Sequence, residues 1–197
     1  MKLRDILYGV EVVSVHGTTE KDVAELAFDS RKVVKGTAFF AIKGTLSDGH
    51  AFIESAVKLG ADIVICENLP GQLDSKVIYI EVKDTGVALG IMASNFYEDP
   101  SSKIKLVGIT GTNGKTTIAT LLFKLFMSLG YKVGLISTVE NQINNAIIPA
   151  THTTPDPLSL NLLLTDMINA GCEYCFMEVS SHAVVQHRIA GLTFTGG

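Results

Sequence analysis

The residues whose types and spacing most clearly indicate chemistry form one glycine-rich stretch, Gly111-Thr112-Asn113-Gly114-Lys115-Thr116-Thr117. Its glycines let the main chain curl without a Cβ in the way, so several N–H groups can point at one anion. Lys115 can reach the outer phosphates of a nucleotide, and the hydroxyl of Thr116 can ligate Mg²⁺. We therefore interpret these seven residues as a phosphate-binding loop for ATP and Mg²⁺.

The segments on either side of this loop have the periodicity that a phosphate loop needs. Residues 104–109 form a short apolar run rich in β-branched residues, which predicts a buried strand. Beyond the loop, apolar residues recur at helical spacing as far as Leu129, and Gly130 supplies a stop signal. The strict pattern places a glycine where this chain has Ile109, so the match is a variant. An ordinary strand-to-helix turn is the alternative interpretation.

An acidic residue follows another predicted strand farther along the chain. Glu178 comes directly after the apolar run at residues 172–177, at the edge of the sheet where the phosphate loop is also expected. Phosphate-loop proteins use an acid from a neighbouring strand to hold Mg²⁺, so Glu178 is predicted to be a metal ligand. The alternative is a solvated acid at a strand end. His182 and His187 could each line a polar site or be partly buried structural residues.

The remaining elements predict an α/β fold in two domains. Residues 1–84 alternate short apolar strands with a helical pattern that ends at Gly60, which predicts a small N-terminal α/β domain. Residues 85–197 contain the phosphate loop and open a doubly wound, mainly parallel sheet with three strands. The sequence ends inside what should be the next strand, so we expect a truncated domain and a fragment of a longer protein.

Two further segments of the second domain connect its predicted strands. A polar stretch at residues 141–145 follows the strand at 131–137 and leads towards the segment at 151–157. A helix is predicted from Leu158 to Ala170, with Asp156 as its N-cap. Thr153 and Thr154 could cap this helix or donate to a ligand at the sheet edge.

Composition and cysteine content exclude several classes of protein. The net charge of −4 and the lack of a Lys/Arg cluster argue against a nucleic-acid partner. No apolar run approaches the roughly 20 residues that span a bilayer, and we expect a cytoplasmic protein without membrane contact. Cys66, Cys172 and Cys175 form no disulfide framework, and residues three apart in a strand point to opposite faces. They are predicted to be buried structural residues.

Taken together, these residues resemble the Mur ligases, a family that builds the peptide of bacterial cell-wall precursors. Four blocks carry the resemblance over nearly the whole chain: the phosphate loop; Asp29-Ser30-Arg31 with Gly36 and Phe39-Phe40; Asp48-Gly49-His50; and Met177-Glu178-Val179-Ser180-Ser181-His182 with Val185-Gln186-His187-Arg188. The set is similar to the branch that adds the third amino acid. The phosphate loop alone would specify only the wider family, which includes folylpolyglutamate synthase.

The resemblance implies roles for particular residues. Catalysis would rest on Lys115 and Glu178, with Thr116 and Glu178 as the Mg²⁺ ligands. Contacts to the uridine end of the substrate would come from Phe28, Ser30, Thr45, Leu46 and Ser47. Contacts to the muramoyl-peptide would come from His152, Thr153, Thr154, Ser180, Gln186 and Arg188. His152 departs from the family pattern at its position. Considered alone, Arg188 is either such an anion contact or a surface cation.

The resemblance also implies a reaction. A monomeric, ATP-dependent ligase would activate the terminal carboxylate of UDP-N-acetylmuramoyl-L-alanyl-D-glutamate as an acyl-phosphate, and a diamino acid would displace phosphate to form an amide. That amino acid would be meso-diaminopimelate or L-lysine. The family's carbamylated lysine and its amino-acid-binding domain would lie beyond Gly197. The 197 residues are therefore expected not to catalyse ligation alone.

Three alternatives remain open from the sequence. The related ligase that adds D-alanyl-D-alanine uses a substrate that is one residue longer. A regulatory module that only binds ATP has no reason to bind uridine through Ser30. A phosphate-loop kinase usually carries an arginine-rich lid after the loop, whereas residues 130–157 contain no arginine.

Overall fold

The computed structural model describes residues 1–44, 47–150 and 152–197, and the chain divides into two compact units, Met1–Phe96 and Tyr97–Gly197. The division falls later than the predicted boundary after residue 84, because the helix that follows this boundary packs within the first unit. Its Asn95 side chain donates to the carbonyls of Ile6 at 2.8 Å and Tyr8 at 2.7 Å. The assignment of a substrate-binding and an ATP-binding domain to the predicted ranges stays a prediction.

The first unit is a five-stranded sheet with three helices. Its strands are β1 (Val12–His16), β2 (Glu25–Ala27), β3 (Thr37–Phe40), β4 (Ala61–Cys66) and β5 (Ile78–Val82), and its helices are α1 (Leu3–Ile6), α2 (Ile53–Leu59) and α3 (Thr85–Phe96). Short 3-10 turns cover Ser30–Lys32 and Gly49–Phe52. The strand order is β1-β5-β4-β3-β2; β1 pairs antiparallel with β5, and the other neighbouring strands in this order pair in parallel.

The strands at the centre of this sheet are buried on both faces. Phe39 and Phe40 on β3 are both inaccessible, as are Val64 and Ile65 on β4. Burial on both faces explains why these strands are continuous apolar runs rather than alternating ones. As predicted, α2 ends at Gly60, whose φ of 112° lies in the left-handed region that glycine adopts without strain.

The described residues on either side of 45 and 46 meet beyond the end of β3, where Lys43 and Asp48 form an isolated antiparallel bridge at the base of the loop. The N–H of Gly49 donates to the carbonyl of Ile42 at 2.8 Å, so the chain leaves and rejoins the sheet at one point. The ring of His50 accepts through Nε2 from the N–H of Glu67 at 3.0 Å, which joins the base to the end of β4. Its Nδ1 lies 2.6 Å from Asp48. Thr45 and Leu46 lie outside the described residues.

The second unit is a five-stranded sheet with helices on both faces. Its strands are β6 (Lys105–Ile109), β7 (Val133–Ile136), β8 (Glu140–Ile143), β9 (Ala146–Pro149) and β10 (Tyr174–Glu178), and its helices are α4 (Lys115–Ser128), α5 (Pro157–Asn169) and α6 (Ser181–Val185). A 3-10 turn covers Pro100–Ser102. The strand order is β6-β10-β7-β8-β9, and β10 runs parallel to both β6 and β7.

Two apolar layers cover this sheet, one on each face. On one face Phe123 of α4 packs in a cluster with Leu135 and Phe176 of the strands. On the other face Leu164 of α5 packs in a cluster with Met177. Asp156 caps α5 as predicted and accepts from the N–H groups of Leu158 and Ser159, both at 3.0 Å. The predicted α/β class, a small α/β unit followed by a mainly parallel phosphate-loop sheet, is confirmed.

The polar stretch at residues 141–145 is a β-hairpin rather than a connection without strands. Strands β8 and β9 pair antiparallel across Asn144 and Asn145, and β8 also pairs with β7. Asn144 adopts a φ of 53°, a conformation that asparagine tolerates better than most residues. Its Oδ1 accepts from the N–H of Val133 at 3.0 Å, so the turn is fixed to the start of β7. The sheet therefore has two more strands than the three predicted.

The three cysteines are buried free thiols, as predicted. Burial raises the pKa of the Cys66 thiol to about 11 and also raises the pKa values of Cys172 and Cys175. They are therefore protonated, apolar packing groups near neutral pH. Among the described residues, no helix combines the length and the apolar character that crossing a membrane requires.

Replacing Gly49 with alanine should destabilise the first unit. A Cβ at this position would lie 2.6 Å from the nitrogen and 2.7 Å from the oxygen of Ile42, and these backbone atoms cannot rotate away. We expect a loss of about 1–3 kcal/mol in the free energy of unfolding, measured by urea denaturation. Gly71 is the control, because a Cβ there meets nothing within 4 Å. Equal urea midpoints for the two alanine variants would contradict this account of the loop base.

Candidate functional site

The glycine-rich loop connects the carboxyl end of β6 to the first residue of α4. Gly111 has a φ of 144° and Gly114, the N-cap of α4, has a φ of 82°. A Cβ at either position would meet nothing closer than 3.6 Å, so backbone conformation rather than lack of space requires glycine here. The N–H groups of the first helical turn have no intrahelical acceptor and face the loop. This arrangement is suited to an anion.

Lys115 is the first residue of α4 and lies at the loop. Its ammonium group donates to the carbonyl of Gly111 at 2.6 Å, so the side chain reaches back across the loop. Its charge is therefore held beside the amides of the loop. The hydroxyl-bearing Thr116 follows it and lines the same cavity.

Glu178 ends β10, the strand that lies between β6 and β7. It pairs in register with Ile109, the last residue of β6, so the acid lies directly beside the strand that leads into the loop. The residue is only 1% exposed, which excludes the alternative of a solvated strand-end acid. Among the described residues, no lysine, arginine or histidine forms an ion pair with it.

A single residue, Thr138, holds the carboxylate of Glu178; it lies two positions beyond the end of β7. The N–H of Thr138 donates to Oε1 at 2.9 Å, and its hydroxyl lies 3.2 Å from Oε2. Sequence reasoning missed Thr138. Its signal was its position two residues after a parallel strand next to β10, at the edge where ligands bind in such sheets.

A cavity of about 630 Å³ brings the loop and the acid together. It is lined by the loop residues Thr110, Gly111, Thr112, Asn113, Gly114, Lys115 and Thr116, and by Thr138, Thr153, Glu178, Ser180, Ser181 and His182. Hydroxyl groups, amides, one lysine and one acid dominate this lining, which suits a polar anionic ligand. Thr117, the last residue of the predicted loop, is exposed in the first turn of α4 and is not part of the lining.

The predicted peptide contacts divide into residues that line the cavity and residues that support it. Thr153 and Ser180 line it, although the Ser180 hydroxyl also caps α6 by accepting from the N–H of Ala183 at 3.2 Å. Thr154 is buried, donates to the carbonyl of Glu178 at 2.8 Å and accepts from the N–H of Ser180 at 3.1 Å. Thr154 therefore ties the segment before α5 to the end of β10.

Gln186 and Arg188 follow α6 and pair with each other. The guanidinium of Arg188 donates to the Gln186 side chain through Nε at 3.0 Å and through Nη2 at 2.7 Å. Its Nη1 donates to the carbonyl of Thr154 at 2.7 Å. These residues do not line the cavity, and neither does His152, which is exposed. Their contacts to a substrate stay predictions.

The predicted uridine contacts lie in the first unit. Phe28 is 39% exposed, and Ser30 is half-buried at the start of a 3-10 turn. Asp29 caps that turn and accepts from the side chain of Arg31 at 2.9 and 2.7 Å. Ser47 accepts through its carbonyl from the N–H of Gly44 at 3.0 Å. The predictions for Thr45 and Leu46 fall outside the described residues.

Two family models match separate parts of the chain. Residues 109–197 match the Mur ligase middle domain, and residues 22–97 match a model described as the Mur ligase family, catalytic domain. The first match begins at the end of β6 and so includes the whole glycine-rich loop.

Curated relatives match over the full chain. A UDP-N-acetylmuramoyl-L-alanyl-D-glutamate–2,6-diaminopimelate ligase of Cytophaga hutchinsonii is 58% identical over all of this chain and 41% of its own length. A ligase of the same name from Parabacteroides distasonis is 51% identical over all of this chain and 40% of its own length. The chain thus spans about two fifths of the length of these relatives.

Solved structures agree with the sequence matches. A structure of a UDP-N-acetylmuramoyl-L-alanyl-D-glutamate–2,6-diaminopimelate ligase superimposes with a TM-score of 0.79 at 26% identity, covering 98% of this chain and 39% of that chain. A MurF ligase from Thermotoga maritima in complex with ADP superimposes with a TM-score of 0.53 at 26% identity, covering 80% of this chain and 32% of that chain.

The Asp29–Arg31 pair should make stability depend on pH in the acid range. Hydrogen bonds from the Arg31 side chain lower the pKa of Asp29 to about 2. The unfolded pKa is about 3.9, so the stabilisation is fully present above this pH and is lost as the pH falls towards 2. The free energy of unfolding, measured by urea denaturation, should therefore change less between pH 4 and pH 2 in Asp29→Asn than in the original chain.

Removal of the donor provides the matched test of this pH effect. Arg31→Gln should reduce the same loss of unfolding free energy between pH 4 and pH 2, because the pKa of Asp29 then returns towards its ordinary value. Arg31 is exposed, so the effect should be small and should shrink further in high salt. The same loss of unfolding free energy between pH 4 and pH 2 in all three proteins would contradict a stabilising role for the Asp29–Arg31 pair.

Proposed function

The chain belongs to the Mur ligase family, and on that premise we propose that its second unit binds ATP with Mg²⁺ in the cavity beside β6 and β10. The observation that carries the proposal is Glu178, a buried carboxylate without a basic partner among the described residues, next to a glycine-rich loop. A buried negative charge is costly unless a cation compensates it. Mg²⁺ held by Glu178 would supply that compensation.

The available ligands fit Mg²⁺ rather than a metal held by protein alone. Within the part of the chain that the structure describes, no three His, Cys, Asp or Glu side chains could together hold a metal ion. Mg²⁺ needs no such cluster, because it is usually bound by one or two carboxylates together with substrate phosphates and water. Glu178 and the hydroxyl of Thr116 supply the protein's share of such a site. Bound Mg²⁺ would neutralise charge on the phosphates.

The residues of the glycine-rich loop would bind the phosphates of ATP. The amides of Gly111, Thr112, Asn113 and Gly114 would donate to the phosphates, and Thr117 would extend this set into the first turn of α4. Lys115 would exchange its bond to the Gly111 carbonyl for the outer phosphates, where its charge stabilises the transferred phosphoryl group. The structurally similar MurF ligase from Thermotoga maritima, which was solved in complex with ADP, supports this placement.

For the whole protein to which these residues correspond, we propose amide ligation in peptidoglycan synthesis. The carboxylate of UDP-N-acetylmuramoyl-L-alanyl-D-glutamate would accept the γ-phosphoryl group, and the amine of a diamino acid would then displace phosphate. The names of the curated relatives support 2,6-diaminopimelate as that amino acid. Because the chain spans about two fifths of their length, we propose binding rather than turnover for these 197 residues alone. A cytoplasmic location and a monomeric state stay predictions.

The substrate would be recognised at two places. In the second unit, Thr153 and Ser180 line the same cavity as Lys115, so they are suited to the carboxylate that must meet the γ-phosphate. In the first unit, Phe28, Ser30 and Ser47 would bind the uridine end. The described part of the loop at residues 43–48 supports this role, because its base is fixed to the sheet.

Lys115→Ala should weaken ATP binding by roughly tenfold to a hundredfold. It removes a charge-assisted contact to phosphate, which is worth about 1.5–3 kcal/mol. Titration calorimetry with ATP and MgCl₂ measures the change. Lys105→Ala is the control, because this lysine lies at the opposite end of β6 and donates to Tyr174 instead. Unchanged ATP affinity in Lys115→Ala, with a normal melting temperature, would refute the proposed site.

The dipeptide nucleotide should bind to the chain better than the corresponding tripeptide nucleotide. This preference follows from the proposed reaction, which starts from the L-alanyl-D-glutamate substrate, whereas the ligase that adds D-alanyl-D-alanine starts from the longer one. Competition between the two nucleotides at equilibrium measures the preference. A preference for the tripeptide would favour the runner-up ligase. If the chain binds ATP but neither UDP-linked peptide, the alternative of a module that only binds ATP is favoured.

A further inference from the structure

Thr138 contacts both oxygens of Glu178, and it does so with two different kinds of donor. The N–H is fixed by the backbone just after β7 and donates to Oε1 at 2.9 Å. The hydroxyl lies 3.2 Å from Oε2 and can rotate. Among the described residues, no other hydrogen bond to this carboxylate is present. One residue therefore determines how the plane of the acid is oriented.

The orientation of this carboxylate decides which of its lone pairs face the cavity. An ionised carboxylate has about four lone-pair positions. Two of them are used by Thr138, and the others remain for a cation in the cavity that both residues line. Thr138 is itself an exposed residue, so its hydroxyl contributes little to the packing of the core. A purely structural role would not require a hydroxyl at this position.

The same hydroxyl also lies 3.1 Å from the hydroxyl of Thr153. A hydroxyl carries one hydrogen, and an ionised carboxylate can only accept. When Glu178 is ionised, Thr138 therefore gives its hydrogen to the acid and accepts from Thr153. This connects the acid, by one intervening hydroxyl, to the segment before α5.

We infer that Thr138 is a positioning residue: its hydroxyl orients Glu178 towards Mg²⁺ and links the acid to Thr153 on the proposed substrate side of the cavity. The inference rests on the proposed function of this cavity. Residues that orient a metal ligand typically change metal affinity by 10–100-fold when they are removed. We expect Thr138 to act at the lower end of this range, because its N–H remains in every variant.

The test compares Thr138→Val with Thr138→Ser in the 197-residue chain. Valine keeps the shape and removes the hydroxyl, whereas serine keeps the hydroxyl. MgCl₂ is titrated at a fixed ATP concentration, and binding is followed by calorimetry. Thr138→Val should raise the Mg²⁺ concentration for half-maximal ATP binding by about tenfold. Thr138→Ser should remain close to the original chain. ATP binding in EDTA should be equal in all three proteins.

A double-mutant cycle with Glu178→Gln tests whether Thr138 acts through the acid. If it does, Thr138→Val should add no further shift in a chain that already lacks the carboxylate. Melting temperatures without ligand show whether each variant is folded, and Thr138→Ala replaces the valine variant if that one unfolds.

Three results would overturn the inference: an unshifted Mg²⁺ titration for the folded hydroxyl-free variant, equal shifts for that variant and the serine variant, or additive shifts in the cycle. Failure of the original chain to bind ATP in a Mg²⁺-dependent way would instead refute the proposed function, and the inference with it. The two failures are therefore distinguishable from the behaviour of the unsubstituted protein.

Discussion

The parallel pairing of β10 between β6 and β7 is the constraint on which the site depends. Glu178 lies opposite Ile109, and Met177 lies opposite Ile136, so three carboxyl ends meet at one edge of the sheet. A parallel pairing requires long crossover connections, and α4 and α5 supply them. The glycine-rich loop, the acid and Thr138 come from distant parts of the chain, yet this register alone places them around one cavity.

The two ends of the same sheet differ in character. At the amino end, Phe126, Tyr131, Tyr174 and Phe176 pack their rings against one another with centroid separations of 4.7 to 6.4 Å. These ring contacts hold the strands together at this end, where the ammonium group of Lys105 also lies 4.7 Å from the centroid of the Tyr174 ring. At the carboxyl end, an acid is buried among amides and hydroxyl groups. The aromatic end therefore holds the strands together, while the polar end retains hydrogen-bonding groups that the protein itself does not use.

Sequence reasoning predicted the elements whose signals are local. The loop is marked by Gly111, Gly114 and Lys115 within five residues, and Asp156 with Pro157 marks the start of α5. The hairpin at β8 and β9 was missed because its strands lack an apolar alternation, and the turn signal is only Asn144-Asn145. Thr138 was missed for a different reason. Its contact with Glu178 joins residues forty positions apart, and no local pattern specifies such a contact. Burial of Glu178 was likewise a property of the sheet rather than of its neighbours in sequence.

The construction of the loop base at Gly49 and His50 has a consequence for how this region can vary. The base is held by the backbone of Ile42 and by the ring of His50, which accepts from the backbone of Glu67. The side chain of Asp48 holds that ring from within the loop, at 2.6 Å from Nδ1. Lengthening this loop should cost little free energy, since the entropy of closing a loop rises only slowly with its length. Position 49 is therefore more tightly constrained than the length of the segment that it closes, because a side chain there would meet the backbone of Ile42.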